Sequence, residues 1–231
     1  MKIKATSKTK PLAIFDIDGT IFRSSLTVEL TWALVDYGIF PPIVKKEIEH
    51  YYLRWVNRKG SYEDYINQVV KTFNKRIEGC LVKDVCKVSE IVIKEQKDKV
   101  YRFSRDLIQR LKKTHILVAL SGSPLEIVKI FAKKWGFQIY FGTYYFSSQG
   151  KYSGEIKPIL NDKGKIILDL KEKMGWSLKK SIGVGDTETD AKFLELVEKP
   201  ICFNPNQKLY NLAKKFGWQV VVERKDVIYY L

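Results

Sequence analysis

Short apolar runs alternate with amphipathic stretches over most of the chain. Residues 12–15, 115–120, 138–141, 181–184 and 218–223 are rich in Ile, Val and aromatics, as strands buried in a parallel sheet are. Between most of them the pattern predicts helices over 103–113, 124–135, 163–175, 187–198 and 206–216. Strand-helix alternation with short connections predicts a doubly wound, Rossmann-like α/β domain. Residues 144–148 and 151–156, either side of Gln149-Gly150, read as a hairpin.

Residues 24–96 break the alternation and read as helical throughout. Predicted helices cover 26–37, closed by Gly38, and 42–58, opened by Pro41-Pro42 with Gly60 beyond its end. Two more cover 62–78 and 81–95. Tyr51, Tyr52 and Trp55, then Tyr62, Tyr65, Ile66, Val69 and Val70, recur at helical spacing and read as internal packing of a bundle. The expected organisation is an α/β core made of 1–23 and 97–231, with an all-helical cap domain at 24–96.

A chain of 231 residues, 45% hydrophobic, can bury one core plus a small insertion. No run approaches the roughly 20 apolar residues that span a bilayer. The basic first ten residues are followed only by the short apolar run 11–15, which is too brief for a signal peptide. The expected location is therefore cytoplasmic. Cys80, Cys86 and Cys202 are odd in number, and their spacing fits neither a disulfide framework nor a zinc site. His50 and His115, the two histidines, read as structural residues.

The net charge of +15 invites a search for an anionic partner. Its densest stretch, 97–134, holds ten basic residues against Asp98, Asp106 and Glu126. Lysines scattered singly over solvated faces account for most of it, and no nucleic-acid-binding motif accompanies the charge. No nucleic-acid partner is expected. A membrane surface is a less favoured alternative, and the oligomeric state is left open.

Three strand ends carry candidate chemistry. Phe15-Asp16-Ile17-Asp18-Gly19-Thr20 closes the first strand, where open α/β sheets bind ligands. Two carboxylates one residue apart repel each other unless a cation lies nearby. Leu120-Ser121-Gly122-Ser123-Pro124-Leu125-Glu126 runs from a strand into a helix. There Ser123 fits an N-cap, Pro124 the first helical position and Glu126 a capping box. The helix N-terminus suits an anion, and Ser121 can bond a phosphate oxygen. Gly183-Val184-Gly185-Asp186 lacks the third glycine of a dinucleotide fingerprint, and its acid would repel pyrophosphate. With Asp190 it instead suits a hard cation such as Mg²⁺. Lys163 or Lys165 can supply a fixed positive charge for a phosphate.

In this order, Asp-x-Asp-Gly-Thr, a strand-end Ser, a helix-opening Lys and Gly-Asp-x-x-x-Asp resemble the four motifs of the haloacid-dehalogenase-like hydrolases. The form is most similar to the branch containing phosphoserine phosphatases. The spacing between Lys163 and Asp186 matches that branch without a gap and favours Lys163 over Lys165. Cys202-Phe203-Asn204-Pro205 and the segment from Ala213 to Trp218 also resemble its tail.

The resemblance implies a Mg²⁺-dependent phosphatase with Asp16 as covalent nucleophile and Asp18 as general acid and base. It implies Ser121 and Lys163 as holders of the phosphoryl oxygens, Gly122 beside them, and Asp16, Asp18, Asp186 and Asp190 around the metal. The implied substrate is a small phosphorylated metabolite, with Arg23 and Ser25 on the substrate side. Asp18 points to phosphate monoesters, since the P-type ATPases carry Thr at that position and the dehalogenases lack an acid there. Ser25 stands where phosphoserine phosphatases carry a Glu, Ser123 replaces a Gly of their second motif, and Thr189 replaces an Asn of their fourth. Phosphoserine is therefore one alternative substrate and a phospholipid headgroup another. A catalytically silent binding protein of the same fold is the alternative outside enzymes, and nucleic-acid end processing rests on charge alone.

Overall fold

The computed structural model describes residues 10–231; residues 1–9, the basic start of the expected core segment, lie outside the described residues. β1 (Leu12–Asp16) is buried along its whole length. Successive side chains of a strand point to opposite faces. Ala13 and Phe15 accordingly join one core with Leu117, Ala119 and Val184, while Leu12 and Ile14 join another with Val118 and Leu120. A strand buried on both faces belongs inside a sheet, and β1 pairs in parallel with β2 (Ile116–Pro124) and with β5 (Ile182–Gly185). β3 (Ile139–Ser148) and β4 (Lys151–Lys157) extend the sheet beyond β2. β6 (Lys199–Phe203), β7 (Gln219–Arg224) and β8 (Val227–Tyr230) extend it beyond β5. The order is β4-β3-β2-β1-β5-β6-β7-β8, parallel except at the edge pairs β3/β4 and β7/β8.

The first four of the five helices between β1 and β2 are α1 (Leu26–Asp36), α2 (Ile43–Val56), α3 (Tyr62–Ile77) and α4 (Val82–Gln96). They form the helical, cap-like insert that the sequence predicts. Ser61 caps α3 by a reciprocal pair of bonds with Asp64, which satisfies two backbone donors at the helix start. Phe40 meets Phe73 edge-on at 5.6 Å inside the insert. The remaining helices are α5 (Arg102–Leu111), α6 (Leu125–Trp135), α7 (Lys163–Met174), α8 (Ala191–Leu194) and α9 (Gln207–Phe216). Apolar side chains of α5 and α6 join one sheet face and those of α7, α8 and α9 the other.

Backbone hydrogen bonds hold the insert at two places. At its neck, the Arg23 N–H donates to Lys99 O and the Tyr101 N–H to Ile21 O, both at 2.9 Å. On its flank, Gly79 and Val82 donate to Tyr152 O and Gly150 O at 2.9 Å, and the Tyr152 N–H returns to Cys80 O at 3.0 Å. The Tyr145 hydroxyl adds a 2.6 Å bond to Asn74. The hairpin β3–β4 thus grips the far end of α3 and the start of α4.

Three expectations need correction. β2 continues through the Ser-Gly-Ser-Pro motif, so the helix starts at Leu125 and Ser123 is not its N-cap. A residue before proline is kept out of the helical region, and Ser123 obeys that rule. The helix expected over 187–198 is a 3₁₀ turn at Glu188–Asp190 followed by the short α8. β6 and β8 are strands that the apolar pattern did not single out.

Candidate active site

The carboxyl ends of β1, β2 and β5 converge with the start of α7. Asp16, the last residue of β1, is 4% exposed, and Lys163, the first of α7, is 1% exposed. The Lys163 ammonium donates to Asp16 Oδ1 and to Asp190 Oδ1, each at 2.6 Å. Burial alone would drive the lysine toward neutrality, but the two carboxylates outweigh it and hold its pKa above the ordinary value. Lys165, the sequence alternative, lies exposed on α7.

Asp190 uses both oxygens. Oδ1 takes Lys163, while Oδ2 accepts the N–H groups of Asp186 and Thr187 at 3.0 and 3.2 Å. It therefore shapes the loop that presents Asp186. Carboxylate oxygens of Asp16, Asp186 and Asp190 lie within 4.8 Å of one another. Such an approach needs glycine beside it. A Cβ on Gly185 would stand 2.5 Å from that of Asp190, and one on Gly19, whose φ is +84°, would stand 2.2 Å from Asp186 Oδ2.

Asp18 points elsewhere. Its carboxylate accepts the Leu26 N–H at the start of α1, the Ser121 hydroxyl at 2.5 Å and the Ser123 hydroxyl at 3.0 and 3.1 Å. Burial still lifts its pKa above the ordinary carboxylate value, against those bonds. Ser121 also accepts the Ser123 N–H at 2.9 Å. Ser123 further bonds the Thr27 hydroxyl at 2.8 Å, tying β2 to α1.

The other expected substrate residues are more scattered. The Gly122 carbonyl accepts the Thr143 hydroxyl at 2.6 Å. Ser25 is 6% exposed at the N-cap position of α1 and makes no side-chain capping bond. Arg23 is exposed, its guanidinium 5.7 Å from the centre of the Tyr101 ring. Residues that sequence reasoning passed over include Ser123 and Thr20, whose hydroxyl reaches Asp186 Oδ1 at 3.3 Å. Thr20 stood inside the first motif, which was the available signal. His115 lies near Lys180 O at a strand start and His50 packs on Tyr51, both away from the carboxylates.

One atom decides whether a cation fits. Asp16 Oδ2 is buried with no hydrogen-bond partner. Burial pushes the Asp16 carboxyl up to about 8; Lys163 opposes this, while Asp190 and Asp18 add to it. Asp186 is raised well above the ordinary range, first by burial and then by Asp16 and Asp190. Several acids facing one ammonium leave an excess of negative charge, and an oxygen-only donor set of this kind suits a hard divalent ion.

A family model described as haloacid dehalogenase-like hydrolase matches residues 11–197. The chain belongs to the haloacid dehalogenase-like hydrolases. Within them it is of the phosphatase type. It is 24% identical over 216 residues to a phosphoserine phosphatase of Mycobacterium tuberculosis H37Rv, covering 90% of this chain and 69% of that one. A protein of unknown function from Bordetella pertussis Tohama I shares the fold with a TM-score of 0.73 at 19% identity, over 92% and 98% of the two chains. A phosphoserine phosphatase solved as a phospho-aspartyl intermediate analogue gives 0.62 at 19% identity, over 94% and 95%. No helix among the described residues is long and apolar enough to cross a membrane.

Proposed function

We propose that this haloacid dehalogenase-like phosphatase is Mg²⁺-dependent and hydrolyses a small phosphate monoester through an aspartyl-phosphate on Asp16. The observation that carries the reading is the split state of the Asp16 carboxylate. Lys163 fixes one oxygen, and the other is buried without a partner. A carboxylate so held can attack phosphorus without rotating away.

In the first step an Asp16 oxygen bonds to phosphorus while the ester oxygen departs with the proton of Asp18. In the second, Asp18 takes a proton from water, whose oxygen attacks phosphorus and releases phosphate and the free Asp16 carboxylate. Ser121 and Ser123 aim the Asp18 carboxylate before substrate arrives. Ser121 is then free to turn one bond toward a phosphoryl oxygen, and Lys163 offers its ammonium to another. Asp16, Asp186 and the Asp18 carbonyl would hold Mg²⁺, with Asp190 as their support. The bound ion supplies positive charge that lets one anion approach another.

A silent binding protein would have no need of the Lys163 arrangement, so the enzymatic reading is favoured. Phosphoserine is the substrate of several relatives by name, but Ser25 offers no carboxylate for its ammonium. The test is a panel of phosphorylated metabolites with and without Mg²⁺, together with mass spectrometry of the acid-quenched protein for a phosphate on Asp16. Hydrolysis without any Mg²⁺ requirement or covalent phosphate overturns the proposal.

A further inference from the structure

Four rings meet where α2 turns into α3. Trp55 lies 4.9 Å from Tyr62 and 5.6 Å from Tyr65, the latter pair parallel to within 1°. Tyr52 meets Trp55 at 6.0 Å and Tyr65 at 5.5 Å. Rings that served packing alone would be buried, as Tyr65 is at 4% exposure. Tyr52 and Tyr62 are each 42% exposed.

The position of this cluster is fixed by its neighbours. Glu63, next to Tyr62, meets the Lys208 ammonium at 3.2 Å, and the same ammonium meets Glu188 at 2.8 Å. Glu188 belongs to the turn between Asp186 and Asp190. The start of α3 is therefore linked through Lys208 to the loop that presents Asp186. Tyr62's phenol is raised above its ordinary value, first by burial and then by the charges of Asp18 and Asp186. Tyr101 stands at the neck just beyond the first motif, where its N–H bonds Ile21 O at 2.9 Å. Its phenol is raised by burial and then by Asp186, with Arg23 opposing, and its ring lies under the Arg23 guanidinium.

We propose that Tyr62, backed by Trp55, and Tyr101, covered by Arg23, are two walls of a leaving-group subsite that takes a planar, aromatic leaving group. The proposal rests on the phosphatase reading and names its substrate class. Aromatic walls favour a planar π-system over an alkyl chain of equal size. A cationic leaving group is disfavoured because the Arg23 cation already covers one ring. Glu29, the nearby acid of α1, is held by Lys99 and Gln96 at 2.8 Å each, so it is no ready partner for an ammonium.

Two non-hydrolysable probes separate the ring from the phosphoryl group. Calorimetry with Mg²⁺ present should show benzylphosphonate binding wild type at least tenfold more tightly than methylphosphonate. Tyr62→Ala should bring that ratio below threefold, and Tyr62→Phe should keep it. Tyr51→Ala, an exposed ring of α2 outside the cluster, should keep it too, with thermal melts checking each fold. Methylphosphonate binding without a benzyl preference overturns the subsite alone. A benzyl preference that Tyr62→Ala leaves intact also overturns it. If neither probe binds wild type and no phosphate ester is hydrolysed, the phosphatase reading falls with it.

Discussion

Lys163 Nζ stands 2.6 Å from Asp190 Oδ1, with both side chains almost wholly removed from water. The same ammonium pairs with Asp16, so one cation ties the proposed nucleophile to the loop that presents Asp186. Removing one partner of a buried pair leaves a stranded charge, at a cost of about 3 kcal/mol or more. Lys163→Met should lower the unfolding free energy by that amount, seen as a lower denaturant midpoint, and abolish turnover. Asp190→Asn keeps the shape and one acceptor, so it should lose less stability than Lys163→Met. A Lys163→Met variant as stable as wild type would show that the ammonium is not needed to hold the acids.

Asp16→Asn removes a negative charge from a pocket that has too many. The variant should fold at least as stably as wild type, yet turn over a thousandfold or more slowly, about 4 kcal/mol of barrier. Steady-state kinetics and a thermal melt on one preparation check both halves. Activity at a tenth of wild type would rule out covalent attack by this residue.

Chelator should stop hydrolysis and Mg²⁺ restore it, with Ca²⁺ a poor substitute because it prefers looser, higher coordination. Mg²⁺ at a hundred times its dissociation constant should stabilise the fold by about 2.7 kcal/mol. Asp186→Asn should remove most of that rise in Tm. An unchanged rise would place the ion elsewhere.

Glu126 gives the clearest pH prediction away from the metal ligands. Its Oε2 and the Tyr152 hydroxyl are both buried without a hydrogen bond of normal geometry, and burial raises the Glu126 pKa. The folded state then holds the proton more tightly than the unfolded one, so stability falls as pH rises above about 4.5. Glu126→Gln should flatten that fall, matching wild type near pH 4 and exceeding it at pH 8. Denaturant midpoints across the range decide it; parallel curves would mean that folding does not shift the carboxyl's pKa.

Ser25 predicts a poor kcat/KM for phosphoserine relative to the best compound of the panel. Ser25→Glu should improve phosphoserine at least tenfold if the missing acid is the reason. Wild-type preference for phosphoserine over every other compound would mean that another acid binds the ammonium.

The alternation of strands and helices was legible because a strand such as β1, buried on both faces, leaves a plain run of apolar residues. The convergence of Asp16, Lys163, Asp186 and Asp190 was legible because they stand at strand ends and a helix start, which an open α/β sheet gathers at one edge. Ser123 was not. Its Ser-Pro-x-Glu context imitates a capping box, and its real partner, Asp18, is 105 residues away. β6 was obscured by Pro200, which usually argues against an interior strand. β8 lies largely exposed at the sheet edge and carries no burial signal. Helical spacing also placed Tyr52, Trp55, Tyr62 and Tyr65 on common faces, but spacing cannot tell which turn will overhang a cleft.

The place of β1 in the sheet also sets the order in which the chain can assemble. Leu12 pairs with Ile116 and Ala13 with Ile182, so the strand that bears Asp16 has no partner until a hundred further residues have emerged. The four helices of the insert close their contacts over far shorter stretches. Local contacts form early and long-range pairing late, and during synthesis the amino-terminal part is available first. The helical insert is thus available to fold before the strand from which it departs, and Asp16 is set in position by the last neighbours to arrive.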